Sequence, residues 1–316
     1  MITRISVYLI AFLNVLSVEI PHGLFKGYLL GLLQESRFFS VLGLSRKTSR
    51  HLGQFYQLLQ MKINWEKILY TFAKSLLNSG EWALILDGSP LVQEYATHRI
   101  AKHGLVSIEE LERVPYNQII SLILTNGSLQ LVLDYRIWIS PKVSKSRDYR
   151  KQTDLALDLI KRCQLMKLPV KNLLFDSFFA SKEIITWLNE NNYTWTTRLK
   201  GNRIVYQDGK PSKIQDFQLE EKALIQAELK GIPGTVTITR IHYQDETVYA
   251  ATNRANCSQT HLESAYRLRW AIETFHRDAK QNLGLDYLWM KNYRSLKKSS
   301  GLRLPRLQHS VCTTGQ

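Results

Sequence analysis

Leu173-Leu174-Phe175-Asp176-Ser177 is a short apolar run that ends in an acid followed by a small polar residue. Such a run predicts a buried strand, because a strand covered on both faces lacks the polar alternation of a half-exposed one. Residues 181–188 follow with the apolar spacing of a helix. In open α/β sheets, catalytic groups gather beyond the carboxyl ends of strands, where Asp176 falls. The stretch therefore predicts an α/β fold with Asp176 at a functional edge of the sheet.

A second run of the same kind, Trp82-Ala83-Leu84-Ile85-Leu86-Asp87-Gly88, lies upstream. It predicts another buried strand that ends at Asp87, just before a turn at Gly88. If the two strands are neighbours, Asp87 and Asp176 share one site. Either aspartate alone is more commonly a turn or helix-capping residue, so the prediction depends on a third group.

The third group lies in residues 265–281, A-Y-R-L-R-W-A-I-E-T-F-H-R-D-A-K-Q. On a single helix, at about 100° per residue, one stripe is polar and is predicted to be exposed. This stripe consists of Arg269, Glu273, His276 and Lys280, with Tyr266 at its edge. A lone carboxylate among cations should ionise readily where anions bind, which suits a metal ligand beside a phosphate backbone. The alternative is the ordinary solvated face of an amphipathic helix.

The spacing of Tyr266, Arg269, Glu273 and Lys280 resembles the Tyr-Arg-Glu-Lys motif of bacterial DDE transposases, in the insertion-sequence-four group. The sequence around Asp176, F-D-S-F-F-A-S-K-E-I-I-T-W-L, is also similar to sequences of that group. The similarity is densest over residues 171–203 and 261–287. Many relatives carry a second carboxylate or a threonine after the first acid, whereas this chain has Gly88-Ser89-Pro90 there.

The resemblance implies catalytic, metal-binding and DNA-facing roles. The implied catalytic acids and metal ligands are Asp87, Asp176 and Glu273, and the implied DNA-facing companions are Tyr266, Arg269 and Lys280. The implied cofactor is a pair of Mg²⁺ ions, which Mn²⁺ can replace. Two such ions stabilise the attacking and leaving oxygens of an in-line displacement, and Mg²⁺ needs only one or two carboxylates of its own. Glu273 and His276 also form half of a di-iron pattern, but no second Glu-x-x-His helix is present.

The expected architecture is a ribonuclease-H-like mixed sheet flanked by helices. Residues 118–125 and 128–139 predict a hairpin around Asn126-Gly127, beside the Asp87 strand. A helix to about residue 166, the Asp176 strand and another helix complete this order. We expect a helical region over 1–78, a catalytic domain over 79–287 and a basic tail over 288–316. The helical region is a candidate for recognising DNA ends, with Ser45 as an N-cap before a basic turn.

Residues 202–253 are β-rich and resemble the insertion that precedes the last catalytic helix in these transposases, where family members hold the flipped end of the transposon. Arg198, Lys200 and Arg203 stand at its beginning and are candidate phosphate contacts. The alternative for these residues is that they are exposed loop charges.

Composition agrees with a nucleic-acid partner. The 316 residues include 42 Lys plus Arg against 27 Asp plus Glu, a net charge of +15. A basic surface gains affinity for DNA by releasing condensed counterions. Three scattered cysteines without C-x-x-C spacing indicate a reducing cytoplasm. Residues 5–18 lack a cleavage site and are too short to span a bilayer, so no membrane partner is expected.

The sequence therefore predicts a cytoplasmic, Mg²⁺-dependent DDE transposase. Its expected partners are double-stranded DNA, the terminal inverted repeats of its own element and a second copy in a synaptic complex. Two alternatives stay open: another ribonuclease-H-like nuclease, and an inactive remnant that still binds DNA. Residues 291–316 contain no acid and no apolar period, which indicates either a truncated or frame-shifted end or a basic clamp for DNA.

Overall fold

The computed structural model describes residues 41–77, 80–92, 103–106, 113–141, 149–217, 219–220, 223–243 and 246–281, together with Phe12, Val15, Leu16 and residues 23–27. The predicted basic tail, 288–316, and most of residues 1–40 of the predicted helical region lie outside the described residues.

The helices run Val41–Thr48 (α1), Leu52–Gln60 (α2), Trp65–Leu76 (α3), Gln152–Leu165 (α4), Lys182–Glu190 (α5), Gln259–Arg269 (α6) and Ala271–Gln281 (α7). The strands run Ala83–Val92 (β1), His103–Val106 (β2), Arg113–Thr125 (β3), Gln130–Trp138 (β4), Asn172–Phe175 (β5), Thr194–Leu199 (β6), Ile204–Gln207 (β7), Lys210–Lys213 (β8), Leu224–Leu229 (β9), Thr235–Tyr243 (β10) and Glu246–Thr252 (β11). Short 3₁₀ turns occupy Ser177–Phe179 and Ile214–Asp216.

These strands form one mixed sheet. Its order is β2-β3-β1-β5-β6-β11-β10-β9-β7-β8, with β4 also paired to β3. Strands β1, β5 and β6 are parallel neighbours, whereas β3 and β4 pair antiparallel as a hairpin beside β1. The prediction of a mixed α/β sheet flanked by helices is confirmed.

Both faces of the sheet are covered. Leu84 and Leu86 of β1 point into a core shared with α3, α4 and α5. Ala83 and Ile85 point the other way, into a core shared with α7. Alternate residues of β1 are thus buried on opposite faces, which explains why the strand is an unbroken apolar run in the sequence. Within the described ranges, every helix is too short or too polar to cross a membrane.

The hairpin prediction is confirmed. Thr125 ends β3 and Gln130 begins β4, with Gly127 at a φ of +89° in the turn between them. The Asn126 side-chain oxygen accepts hydrogen bonds from the backbone N–H groups of Ser128 and Leu129, at 3.1 and 2.9 Å. Asparagine followed by glycine therefore closes the turn for a local reason that the sequence already contains.

Asp87 does not end its strand, contrary to the prediction. Strand β1 continues to Val92, because its antiparallel pairing with the long strand β3 extends to the Val92–Tyr116 pair. Gly88 therefore lies in a strand rather than in a turn. A Cβ atom there would stand 2.7 Å from the Gln118 side-chain nitrogen, so glycine makes room for that side chain.

Residues 265–281 form two helices and not one, which corrects a second prediction. The Trp270 N–H bonds to the Arg267 carbonyl at 3.0 Å, which tightens the last turn of α6. The Trp270 carbonyl then accepts from Glu273 N–H at 3.0 Å and opens α7. The break lets α6 pack beside β10 and β11 while α7 packs on β1.

Ser45 is not a helix cap, which corrects a third prediction. It lies inside α1, and its hydroxyl donates to the Arg50 carbonyl at 2.6 Å. The cap of the next helix is His51, whose Nδ1 accepts from the Gly53 N–H at 3.1 Å. Arg46 and Lys47 lie within α1 rather than in a turn, and only Ser49 and Arg50 connect α1 to His51.

The β-rich segment continues the same sheet. Strands β7 to β11 fall within residues 202–253, and β11 pairs antiparallel with β6 through Thr252–Thr196 and its neighbours. This pairing attaches the β-rich segment to β6, which is the neighbour of β5, the strand that Asp176 directly follows.

Candidate active site

Strand register brings Asp87 and Asp176 together. Leu86 and Phe175 are the last paired residues of the parallel strands β1 and β5, and each aspartate is the next residue along its strand. Adjacent strands lie about 4.8 Å apart, and residues two apart project to the same face. Both aspartates therefore share the face of Ile85 and Leu174, which α7 covers.

Glu273 reaches this face from the first turn of α7. It lines a cavity of about 460 Å³ together with Asp87, Ser89, His276 and Lys280. Asp176 borders a second cavity of about 490 Å³, on the side of β6 and the turn after it. The three predicted acids thus lie near one another where β5 ends beside β1, and a cavity opens on each side of them.

Asp87 is the most perturbed of the three. The pKa of Asp87 is raised to about 7, mainly by burial and to a smaller extent by the charges of Asp176 and Glu273. The Gly88 backbone N–H and the Arg269 guanidinium lower the pKa, but not enough to offset the burial. The carboxylates therefore repel one another in a partly dry site, which is the electrostatic setting that a cation relieves.

Arg269 is the cation that acts on all three acids. Its Nη2 donates to Glu273 Oε1 at 2.9 Å, and its guanidinium lies 5.4 Å from the centre of the Tyr266 ring. Burial alone would lower the pKa of Arg269, but the charges of Glu273, Asp87 and Asp176 outweigh it and raise the pKa. The buried Arg269 Nε has no hydrogen-bond partner among the residues that the structure describes.

The predicted exposure of the polar stripe is wrong for two of its members. Arg269 and His276 are each only 6 % exposed. The stripe faces Asp87 and Asp176 and not bulk water. These acids provide the polar surroundings of its charged side chains. Tyr266 is buried as well, in a cluster with Ile241, Val248 and Leu262. The Tyr266 ring thus packs under Arg269 inside the protein.

His276 is a neutral neighbour of the acids. Its Nδ1 lies 4.0 Å from Asp87 Oδ2, which is beyond hydrogen-bond distance. Burial, with the charge of Lys280, lowers the pKa of His276 to about 3. The imidazole is therefore uncharged near neutral pH and forms no ion pair with Asp87.

A protein-family comparison decides the family. The model described as Transposase DDE domain matches residues 117–302, more than half of the chain. The chain belongs to the DDE transposase domain family. Asp176 and Glu273 of this DDE transposase lie inside the matched region, and Asp87 lies upstream of it. The prediction of a DDE transposase is confirmed, and the finer assignment to the insertion-sequence-four group stays a prediction.

Other comparisons give weaker likenesses. No curated protein matches the transposase. Among solved structures, the NurA nuclease of Sulfolobus solfataricus is 12 % identical over 72 % of this chain and 85 % of its own, with a TM-score of 0.34. Endonuclease V of Bacillus subtilis is 10 % identical over 70 % of this chain and 96 % of its own, with a TM-score of 0.30. Likenesses at these scores carry no argument about function.

The donor chemistry of the transposase site fits a hard divalent cation. Asp87, Asp176 and Glu273 offer only carboxylate oxygens, which suit Mg²⁺ and Mn²⁺. Their mutual repulsion at Asp87 is also what a divalent cation would remove. In the described ranges, no three acidic, histidine or cysteine side chains already stand in a metal-binding group, and Arg269 pairs with Glu273 instead.

The predicted phosphate contacts of the transposase differ in exposure. Lys200 is exposed, whereas Arg198, Arg203 and Lys280 are half-buried. Arg198 and Lys200 border the cavity that contains Asp176, and Lys280 borders the one that contains Asp87 and Glu273. Positive charge therefore lies on both sides of the acids.

Sequence reasoning missed Ser121 and Phe178. Ser121 faces Asp87 across the β1–β3 pair, and its buried hydroxyl has no hydrogen-bond partner in the described part of the chain. Its signal is a lone polar residue in the apolar run from Ile119 to Leu124. Phe178, two residues after Asp176, is 51 % exposed. Two adjacent phenylalanines do not reveal from the sequence which of them is exposed, and the structure buries Phe179.

Proposed function

We propose that this protein is a Mg²⁺-dependent DDE transposase of the insertion-sequence-four group, which cuts and joins DNA at the ends of its element. The observation that carries the proposal is the meeting of Asp87 and Asp176, on adjacent parallel strands, with Glu273 on the covering helix. A ribonuclease-H-like core over residues 79–287 agrees with the strand order, in which an antiparallel hairpin flanks β1 and two parallel strands follow.

Each residue of the candidate site has its own proposed role. Asp87, Asp176 and Glu273 would hold two Mg²⁺ or Mn²⁺ ions, which stabilise charge on the attacking and leaving oxygens of a phosphodiester when bound. Arg269 orients the Glu273 carboxylate through its 2.9 Å hydrogen bond. Neutral His276 fills space beside Asp87 without adding charge. Lys280 offers a cation to the phosphate at the mouth of the cavity.

The remaining parts of the chain would handle the DNA. We assign recognition of the terminal inverted repeats to the helical region, 1–78, where α1 and α2 meet at a short turn. The β-rich segment, 202–253, would hold the transposon end, and its pairing with β6 keeps it in register with the Asp176 strand. Double-stranded DNA and a second copy in a synaptic complex are the proposed partners.

Strand joining separates a transposase from a nuclease. A donor plasmid that carries both ends of the element, read from the inverted repeats that flank the gene, is incubated with the protein, Mg²⁺ and a target plasmid. We expect 3′-hydroxyl ends at the element's termini and covalent donor–target products. Glu273→Gln should give neither product, whereas Glu190→Gln, at the exposed end of α5, should give both. Cleavage without joined products would indicate a nuclease and contradict the proposal.

A further inference from the structure

His276 is a buried polar side chain at the wall of the acid cavity. It lines the cavity of about 460 Å³ that also contains Asp87 and Glu273, and it is 6 % exposed. Its Nε2 atom has no hydrogen-bond partner among the residues that the structure describes. Leaving a buried imidazole nitrogen without a partner costs free energy, and an apolar side chain would fill the same space without that cost.

Helix α7 brings Glu273 and His276 to the same cavity. Residues three apart on a helix are neighbours, and a glutamate followed three residues later by a histidine binds metal in carboxylate-bridged di-iron proteins. Those proteins complete the site from further helices, whereas here the Asp87 carboxylate of β1 lies beside the imidazole. Glu273 is already bonded to Arg269 at 2.9 Å. Asp87 and His276 can therefore bind an ion without first breaking that pair.

The separation of the two groups fits a shared ion. Small divalent cations bind oxygen and nitrogen ligands at about 2.1 Å, so two ligands of one ion lie between about 3.0 Å apart, at right angles, and about 4.2 Å apart, on opposite sides. His276 Nδ1 and Asp87 Oδ2 are 4.0 Å apart, which is too far for a hydrogen bond but inside this interval. Within the described ranges, no hydrogen bond at Nε2 fixes which ring nitrogen carries the proton. Nδ1 can therefore offer its lone pair to an ion.

We propose that His276 is a nitrogen ligand of the metal ion at Asp87, and that this ligand makes the site bind first-row transition metals such as Mn²⁺ and Co²⁺ more tightly than Mg²⁺. Three carboxylates alone suit Mg²⁺, which takes oxygen ligands and keeps several waters. Imidazole favours transition metals, and the affinity of a site that contains it rises from Mn²⁺ to Co²⁺. Mg²⁺ still binds through the carboxylates, but it gains little from the nitrogen.

The inference deepens the proposed function and rests on it for the metal site itself. It adds a fourth ligand to the three acids and names the class of ion that the site selects. Metal binding can be measured without DNA and without any reaction. The ligand role of His276 can therefore be tested separately from transposition.

Mn²⁺ bound to the protein alone provides the test, because pulsed electron paramagnetic resonance detects a nitrogen that is bonded directly to the ion. We expect the wild type to show an imidazole coupling that changes when its histidines are isotope-labelled, a readout that needs no variant to fold. The coupling should disappear in His276→Gln and in Asp87→Asn. It should remain in His261→Gln, the matched control, because His261 is a half-buried histidine of α6 that contacts Arg254.

Affinities give a second readout. Titration of bound Mn²⁺, with Mg²⁺ as competitor, measures the preference of the site for one ion over the other. Changes around a metal ligand typically cost about 10- to 100-fold in affinity, so His276→Gln should weaken Mn²⁺ binding by at least about 10-fold and Mg²⁺ binding by a smaller factor. His276→Phe, which keeps a flat ring without a nitrogen, should behave in the same way.

The outcomes separate the inference from the proposed function. Mn²⁺ that Asp87→Asn releases but that shows no imidazole coupling would overturn the inference alone, as would an unchanged preference for Mn²⁺ in both His276 variants. A wild type that binds no Mn²⁺ would also overturn the inference, and DNA cleavage then decides the proposed function. Mn²⁺ bound to His276 in a protein that neither cuts nor joins DNA would overturn only the proposed function.

Discussion

Asp87 and Asp176 occupy matching positions on two adjacent parallel strands, each one residue beyond the Leu86–Phe175 pair. Strand β1 continues past Asp87 on its β3 side, whereas the chain leaves β5 after Phe175 and turns through Ser177–Phe179. Beyond the aspartates, the sheet therefore continues through β1 and β3, whereas β5 has ended. The fold itself holds two carboxylates together where a substrate can reach them, despite their repulsion.

The Arg269–Glu273 pair should stabilise the metal-free protein. Arg269→Met leaves three acids without the cation that acts on all of them. Glu273 is one-third exposed, so we expect a loss of about 2 kcal/mol in the free energy of unfolding, below the range for fully buried pairs. Urea denaturation in EDTA measures this loss. Arg267→Met, two residues away and exposed, is the control, and an equal loss in both variants would show that the pair contributes nothing.

Gly88 and Gln118 should be energetically coupled. Gly88→Ala places a Cβ 2.7 Å from the Gln118 side-chain nitrogen and 3.5 Å from the Phe179 ring. Because the end of a glutamine can move, we expect a cost of only about 1 kcal/mol. In a Gln118→Ala background the same change should cost less. A double-mutant cycle of unfolding free energies measures the coupling, and strictly additive effects would contradict the close approach.

Cys163 should report the packing of α3 on α4. Its thiol lies 3.1 Å from the Tyr70 hydroxyl, and burial raises the pKa of Cys163 to about 12. The reactive thiolate is therefore scarce at pH 8, and alkylation should need an opening of the structure. Tyr70→Ala should speed alkylation of Cys163, measured by peptide mass spectrometry, while Tyr70→Phe, which keeps the ring, should not. Labelling of native Cys163 at the rate of a free thiol would contradict this packing.

The sequence predicts those features whose causes are local. Asn126 and Gly127 close the hairpin through bonds within the turn, and the apolar spacing of residues 181–188 predicts α5. Apolar runs predict β1 and β5 because both faces of the sheet are covered. Each of these predictions depends on residues within a few positions of one another.

Features that depend on distant partners could not be predicted. Helical spacing groups Arg269 and His276 in one stripe but does not reveal that the stripe faces acids rather than water. The break at Trp270 has no proline or glycine to mark it. It follows from α6 and α7 packing on different strands. The continuation of β1 beyond Asp87 likewise depends on β3, whose pairing residues lie far along the chain.

Under the proposed function, Asp87, Asp176 and Glu273 hold the metal ions that cut DNA. The most direct measurement is Mg²⁺- or Mn²⁺-dependent cleavage of a plasmid that carries both ends of the element, with DNA binding measured in parallel. Asp87→Asn, Asp176→Asn and Glu273→Gln should each reduce cleavage to the metal-free level and still bind the DNA. Asp134→Asn is the matched control, because Asp134 is a buried aspartate that pairs with Arg136 away from these acids, and it should still cut. Metal-dependent cleavage that survives in any one of the three acid variants would contradict the account.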